Sequence, residues 1–404
     1  MTRIPQRDGA PRALVGARIF ADDGHGGDWL DGHALIIADA RIAAIVPEAV
    51  LDPGLARQRV DGLLVPGFID VQVNGGGGVL FNDAADVPGI TAIGAAHRRH
   101  GTTEFLPTFI TDTPARMRGA VEAARAAAAA NAPGFLGVHL EGPFLNPARK
   151  GVHDAALIRP ITDADVALIA ELAHDIAPAY RVHVTLAPER VPAHAIARLA
   201  AAGVVLSAGH TAASADDIAE ARALGLTGFT HLFNAMPPLA GRDPGPVGAA
   251  ITDPDAYIGI IADGHHVSWV SLRAAIRAHG PARVMLVTDA MPSVGMAADT
   301  FPLLGRTITR EHTPLGGRLT AEDGTLAGSD LDMASAVRNA VAHLGVTLED
   351  ALRMAAAYPA AFLGLDHERG HIRVGHRADL ALLDEQLRVR ATWIDGVEAA
   401  GEAG

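Results

Sequence analysis

The chain has 404 residues, 49% hydrophobic and 20% charged, a globular composition and not a disordered one. Its 46 acidic and 33 basic residues leave a formal charge of −13, which argues against a surface built for nucleic acid or anionic membrane. It has no cysteine, which excludes disulfides, Cys-ligated zinc, iron–sulfur clusters and thiol catalysis, so any metal must sit on His, Asp, Glu or amide ligands.

The first twenty residues carry Arg3, Arg7, Arg12 and Arg18 and no apolar run of signal-peptide length. No stretch approaches the roughly 18–20 apolar residues of a membrane span. The expectation is a soluble cytoplasmic protein with neither nucleic acid nor membrane as partner. Residues 13–20, 33–38 and 41–46 are short β-like runs separated by Asp/Gly turns. Residues 378–383 and 387–394 repeat that character near the other end, with turn signals at Gly370, Gly375 and Asp384. Neither end has enough apolar residues to fold alone. Residues 1–63 and 368–404 are therefore expected to combine into one small β-sandwich domain, outside a main body of residues 64–367.

That body alternates apolar runs with Ala/Leu/Arg-rich helical stretches. The runs are 64–73, 103–108, 135–141, 182–187, 204–210, 228–233, 257–262 and 284–289. Helices are predicted over 113–130, 162–174, 192–202, 214–224 and 268–279, with closing helices over 331–343 and 348–363. Strand–helix alternation predicts a parallel sheet, and eight such strands point to a TIM-like (β/α)8 barrel. A doubly wound open sheet is the competitor, but it concentrates ligands at one switch point. The Ala-rich tract 123–130 reads as an outer helix. Gly75–Gly78 lacks the spacing of a dinucleotide loop and reads as a tight strand-to-helix connection.

Polar residues collect where the runs end: Gln72 and Asn74, Glu141, His210, His231 and Asn234, Asp263 with His265 and His266, and Asp289. In a closed barrel all of these ends share one rim. Glu141, His210 and His231 make a plausible set for a catalytic divalent metal, leaving a fourth position for water. Asp289 is placed to take a proton from that water and pass it to a leaving group. Taken singly, each has a plainer reading. A lone His is more often a hydrogen-bonded core or surface residue, and a carboxylate at a strand end is often a helix N-cap.

The strings PGFIDVQVNGGGG (66–78), HLEGPFLN (139–146), KGVH (150–153), SAGHT (207–211), THLFNAM (230–236), ADGHHV (262–267), VTDAM (287–291) and LAGSDLDM (326–333) closely resemble the N-acetylglucosamine-6-phosphate deacetylase family of the amidohydrolase superfamily. The resemblance covers most of the chain in the correct order. It implies Glu141, His210 and His231 as metal ligands and Asp289 as general base and acid. Many amidohydrolases carry an H-x-H pair at the end of the first strand, where this chain has Gln72-Val73-Asn74. Amides are weak ligands beside imidazole, so one divalent metal per subunit is expected, zinc or iron(II).

The resemblance further implies substrate contacts at Val152, His153, Asn234, Ala235, His266, Leu326, Ala327 and Gly328. His153 would also assist catalysis, and Arg242 would reach a phosphate in the neighbouring subunit of a homodimer. Within 326–333, Ser329 and Asp332 have the spacing of a capping box. The implied reaction is hydrolysis of N-acetyl-D-glucosamine 6-phosphate to glucosamine 6-phosphate and acetate, in amino-sugar catabolism and cell-wall recycling. The alternatives are the galactosamine epimer or another N-acyl amide as substrate, a non-catalytic scaffold, and a sugar-phosphate-binding regulator. The scaffold would have lost a ligand or the base, and the regulator would need a partner module that no segment resembles.

Overall fold

The eight apolar runs of the middle of the chain become neighbours in one parallel sheet. The structure, a computed structural model, describes residues 10–22, 28–303 and 305–400. Arg3 and Arg7 lie outside them. The barrel strands are β1 (Phe68–Val73), β2 (Thr102–Ile110), β3 (Gly137–Glu141), β4 (Arg181–Leu186), β5 (Val205–Ala208), β6 (Gly228–Phe229), β7 (Tyr257–Ile260) and β8 (Val284–Leu286). They pair in sequence order, with β3 and β4 in register from Gly137–Arg181 to Glu141–Thr185. Past β8 the chain returns to β1: Asp289 N donates to Gln72 O at 3.0 Å, and Asn74 N donates to Ala290 O at 2.9 Å. That seam brings the last strand end beside the first. The expected (β/α)8 architecture is the observed one.

Burial explains the composition of these strands. Every residue of β2 is buried, because helices cover the outer face and packed side chains fill the inside. The Ala-rich helix Pro114–Ala129 starts at an N-cap, Thr113, and lays Met117, Ala120, Val121, Ala124 and Ala127 on the barrel. The helix Asp163–Ile176 starts in a capping box formed by Thr162 and Asp165.

The run 64–73 is two strands, not one. Leu63–Pro66 pairs antiparallel with Leu380–Leu383 and parallel with Arg18–Ala21, in a six-stranded sheet drawn from both ends of the chain. The break falls at Gly67, where a Cβ would lie 2.1 Å from Thr103 Oγ1. A four-stranded sheet of Arg12–Val15, His33–Ala38, Arg41–Pro47 and Ala56–Arg59 faces the six-stranded one. Leu14, Ile19, Leu35, Leu64, Leu380 and Trp393 share the sandwich core between them.

Three further expectations are corrected. Gly75–Gly76 and Val79–Leu80 form a small hairpin, and the next helix begins only at Val87 behind its cap Asp86. The closing helix after the eighth run starts at Met333 with Asp332 as its N-cap, so Ser329 caps nothing. Ser329 Oγ instead donates to Thr288 O, stitching 326–329 to the end of β8. The stretch 348–363 is two helices, Leu348–Ala355 and Ala357–Phe362.

A three-stranded antiparallel sheet, Thr300–Leu303, Arg306–Thr313 and Gly316–Ala321, was not anticipated. Its alternation of apolar and polar residues around Gly316–Gly317 is the signal that could have found it. Phe301, Leu303, Ile308 and Leu319 pack against Leu80, Ile110 and Met291, above the barrel rim. Among the described residues no helix is long and apolar enough to cross a membrane.

Candidate active site

The rim formed by the C-terminal ends of the strands gathers the polar residues. Glu141 closes β3, His210 follows β5, His231 follows β6 and Asp289 follows β8. His210, His231 and Asp289 have φ of +48°, +33° and +53°. Left-handed backbone at a non-glycine residue costs on the order of 1–3 kcal/mol, and here it turns each side chain across the barrel mouth.

Glu141, His210 and His231 are buried, and their ligand atoms lie within 4.8 Å of one another. Glu141 Oε1 is 3.2 Å from His210 Nε2 and 3.1 Å from His231 Nε2. The two Nε2 atoms are 3.1 Å apart. His210 Nδ1 is 2.9 Å from Arg149 O. A carbonyl accepts only, so His210 Nδ1 carries a proton and its Nε2 is turned inward toward Glu141 and His231. Burial works against ionised Glu141, but hydrogen bonds and charge from the two imidazoles outweigh it and hold the pKa well below the usual range. Burial likewise opposes a charge on His231, and the hydrogen bond and charge of Glu141 outweigh it and raise that pKa. Two imidazole nitrogens and a carboxylate oxygen converging on one point are a ligand set that fits a divalent cation.

Asp289 sits beside this group. Its Oδ1 accepts from Asn74 Nδ2 at 2.6 Å and from Gln72 Nε2 at 3.2 Å. Burial, then the charge of Glu141, push its pKa up to about 6. That is the range suited to taking and returning a proton near neutral pH. His153 Nδ1 lies 2.8 Å from Thr111 Oγ1 and 3.4 Å from Thr111 N. A backbone N–H can only donate, so Nδ1 accepts and Nε2 carries the proton. Burial, and then the neighbouring His210, lower the His153 pKa to about 3, so the ring is neutral. His266 Nδ1 is 2.6 Å from Asp263 Oδ2. Burial opposes the charge on Asp263, but the bond and charge from His266 outweigh it and lower its pKa.

A cleft of about 220 Å³ opens over these residues. Glu141, Val152, His153, His210, His231, Asn234, Ala235, His266, Asp289, Leu326 and Gly328 all line it. Gly328, at φ +62°, has Asp289 O 2.9 Å from where a Cβ would stand, so only glycine fits there. Two residues singled out from the sequence lie elsewhere. Ala327 is fully buried behind the wall, bonded through its N to Leu319 O. Arg242 is exposed on the segment 237–244 outside the cleft, and the stretch 245–248 that follows already belongs to the helix Gly245–Thr252.

Over residues 63–399 the chain matches the amidohydrolase family. The chain belongs to that family. Residues 13–65 of this amidohydrolase match the NagA composite domain. It is 43% identical over 335 residues to an N-acetylgalactosamine-6-phosphate deacetylase of Shewanella sp. (strain ANA-3), covering 83% of this chain and 82% of the relative. It is 34% identical to the N-acetylglucosamine-6-phosphate deacetylase of Haemophilus influenzae, covering 91% of this chain and 95% of that one. The crystal structure of N-acetylglucosamine-6-phosphate deacetylase from Pasteurella multocida superimposes with a TM-score of 0.91 at 34% identity, covering 97% of this amidohydrolase and all of that chain.

The residues that sequence reasoning missed act one step behind those it found. Arg149 offers a carbonyl to His210, and Thr111 orients His153. Neither residue type has a spacing signature, because the contacts are made by main-chain and hydroxyl groups. Gln72 and Asn74 were read as poor ligands, and their use as donors to carboxylates needed the coordinates.

Proposed function

We propose that this amidohydrolase removes the acetyl group of N-acetyl-D-glucosamine 6-phosphate, giving D-glucosamine 6-phosphate and acetate. The observation that carries the reading is the meeting of Glu141, His210 and His231 with Asp289 at the floor of one cleft. Glu141, His210 and His231 would hold one divalent cation per chain, zinc or iron(II), both suited to a nitrogen/oxygen ligand set. Such a cation supplies Lewis acidity that makes water acidic near neutral pH.

Asp289 takes the proton of the attacking water and hands it to the departing nitrogen, which without it is a very poor leaving group. The His153 Nε2–H donates to the carbonyl oxygen as negative charge builds there. Val152, Leu326 and Gly328 form walls around the sugar, with Ala327 supporting that wall from behind. Asn234, Ala235 and His266 face the phosphate. Among the described residues no Lys or Arg lines the cleft. A phosphate dianion calls for one, and Arg242 from a second copy of the chain would supply it, which makes a homodimer part of the proposal. Binding energy from the phosphate would orient the distant amide. A phosphorylated sugar does not cross a membrane unaided, so the proposed location is the cytoplasm.

A second reading has an observation behind it. The 43% identical relative, and one from Escherichia coli O157:H7 at 37%, are N-acetylgalactosamine-6-phosphate deacetylases. Acetate release measured in parallel on both epimers, phosphorylated and free, with metal analysis of the same sample, tests the proposal. Faster release from the galactosamine epimer moves the assignment to it. No release from either phosphorylated sugar overturns both readings.

A further inference from the structure

We infer that Gln72 and Asn74 are positioning residues: a pair of amide donors at the barrel seam that fixes Asp289 against Glu141. The inference rests on the reading of Asp289 as the proton carrier.

An amide oxygen is a poor metal ligand, but an amide NH2 is a good donor, and the donor is the end in use. Gln72 Nε2 lies 3.3 Å from each Glu141 oxygen and 3.2 Å from Asp289 Oδ1. Asn74 Nδ2 lies 2.6 Å from Asp289 Oδ1. Among the described residues these two NH2 groups bond only to Glu141 and Asp289. The orientation is dictated by chemistry, since flipping either amide would set its oxygen against a carboxylate that only accepts. Two buried carboxylates at one site repel each other in a medium of low dielectric. The amide hydrogens put partial positive charge between them without adding a titratable group.

The main chain under the pair is held in place. Asp289 N is bonded to Gln72 O, and Asn74 N to Ala290 O. Gln72 N donates to Asp70 Oδ1 at 3.1 Å. His97 Nε2 lies 2.8 Å from Gly75 O, and a Cβ on Gly76 would stand 2.9 Å from the same ring. The amides therefore grow from the seam where β1 and β8 meet. They are not carried on a loose loop. A consequence concerns the proton. Both amides occupy Oδ1 of Asp289, so Oδ2 is the oxygen left to carry it.

The test uses the full-length protein loaded with zinc, and compares the parent with Asn74→Ala and Asn74→Asp. Bound metal is measured by elemental analysis, and kcat and KM by acetate release. Asn74→Ala is expected to keep one zinc and a KM within about twofold of the parent, while kcat falls about tenfold to a hundredfold. Asn74→Asp is close to isosteric, so it keeps the fold while setting a third carboxylate against Asp289, and its kcat should fall at least as far. Parental kcat in both Asn74 variants, or loss of the zinc along with activity, would each overturn the inference. If the parent protein releases no acetate, the proposed reaction fails first, and the inference falls with it.

Discussion

His210 and His231 point their Nε2 atoms at each other across 3.1 Å, with Glu141 Oε1 against both. His210 Nε2 faces inward because Nδ1, on the far side of the ring, donates to Arg149 O. Nitrogens facing this closely are stable only when a proton or a cation lies between them. Chelation should therefore lower the unfolding temperature as well as activity, since a ligand that binds only the folded state stabilises it by about 4 kcal/mol at a thousand times its Kd. His231→Ala should lose bound metal and on the order of a thousandfold in kcat/KM. A thermal melt with and without chelator, paired with metal analysis, checks both.

Asp289→Asn keeps the shape and the amide contacts but removes the proton carrier. Turnover should drop by about 10²–10⁴-fold with bound metal and KM little changed. Steady-state kinetics on metal-counted protein would show it. Near-parental turnover would remove Asp289 from this role.

Arg242→Ala should act on phosphorylated substrates alone. A charge-assisted hydrogen bond is worth about 1.5–3 kcal/mol, or roughly ten- to a hundredfold in kcat/KM. Activity on unphosphorylated N-acetylhexosamine should stay unchanged. An equal loss on both substrates would contradict a phosphate contact. Because Arg242 lies outside its own cleft, mixing Arg242→Ala with Asp289→Asn protein should restore activity in mixed dimers.

His97 links stability to pH. Burial lowers its pKa to about 4 against the weaker opposing bond to Gly75 O. An unfolded histidine titrates near 6.5. Between those values the unfolded chain binds the extra proton, so stability rises with pH through that window and falls as pH drops. The loss from pH 7 to pH 4 through this one residue is about 3 kcal/mol. In urea unfolding at pH 5 and pH 7, His97→Gln should show a smaller difference than the parent. An identical difference would mean that His97 is not the group responsible.

The sequence by itself determined the strand–helix order of the barrel and the chemistry of its rim. Eight apolar runs with helices between them encode a parallel barrel through burial on both faces, a local and repetitive pattern. Glu141, His210, His231 and Asp289 stand out because each breaks that pattern where a run ends. The tertiary structure decided the rest. Glu141 meets His210 across 69 residues and His231 across 90, and only barrel closure converts those separations into contacts near 3 Å. It also decided that Leu63–Pro66 leaves the barrel for a sheet completed by Leu380–Leu383, since one apolar run serves either partner equally well. The use of Gln72 and Asn74 as donors was settled there too. An amide can give or accept, and the carboxylates brought opposite it by the fold make the choice.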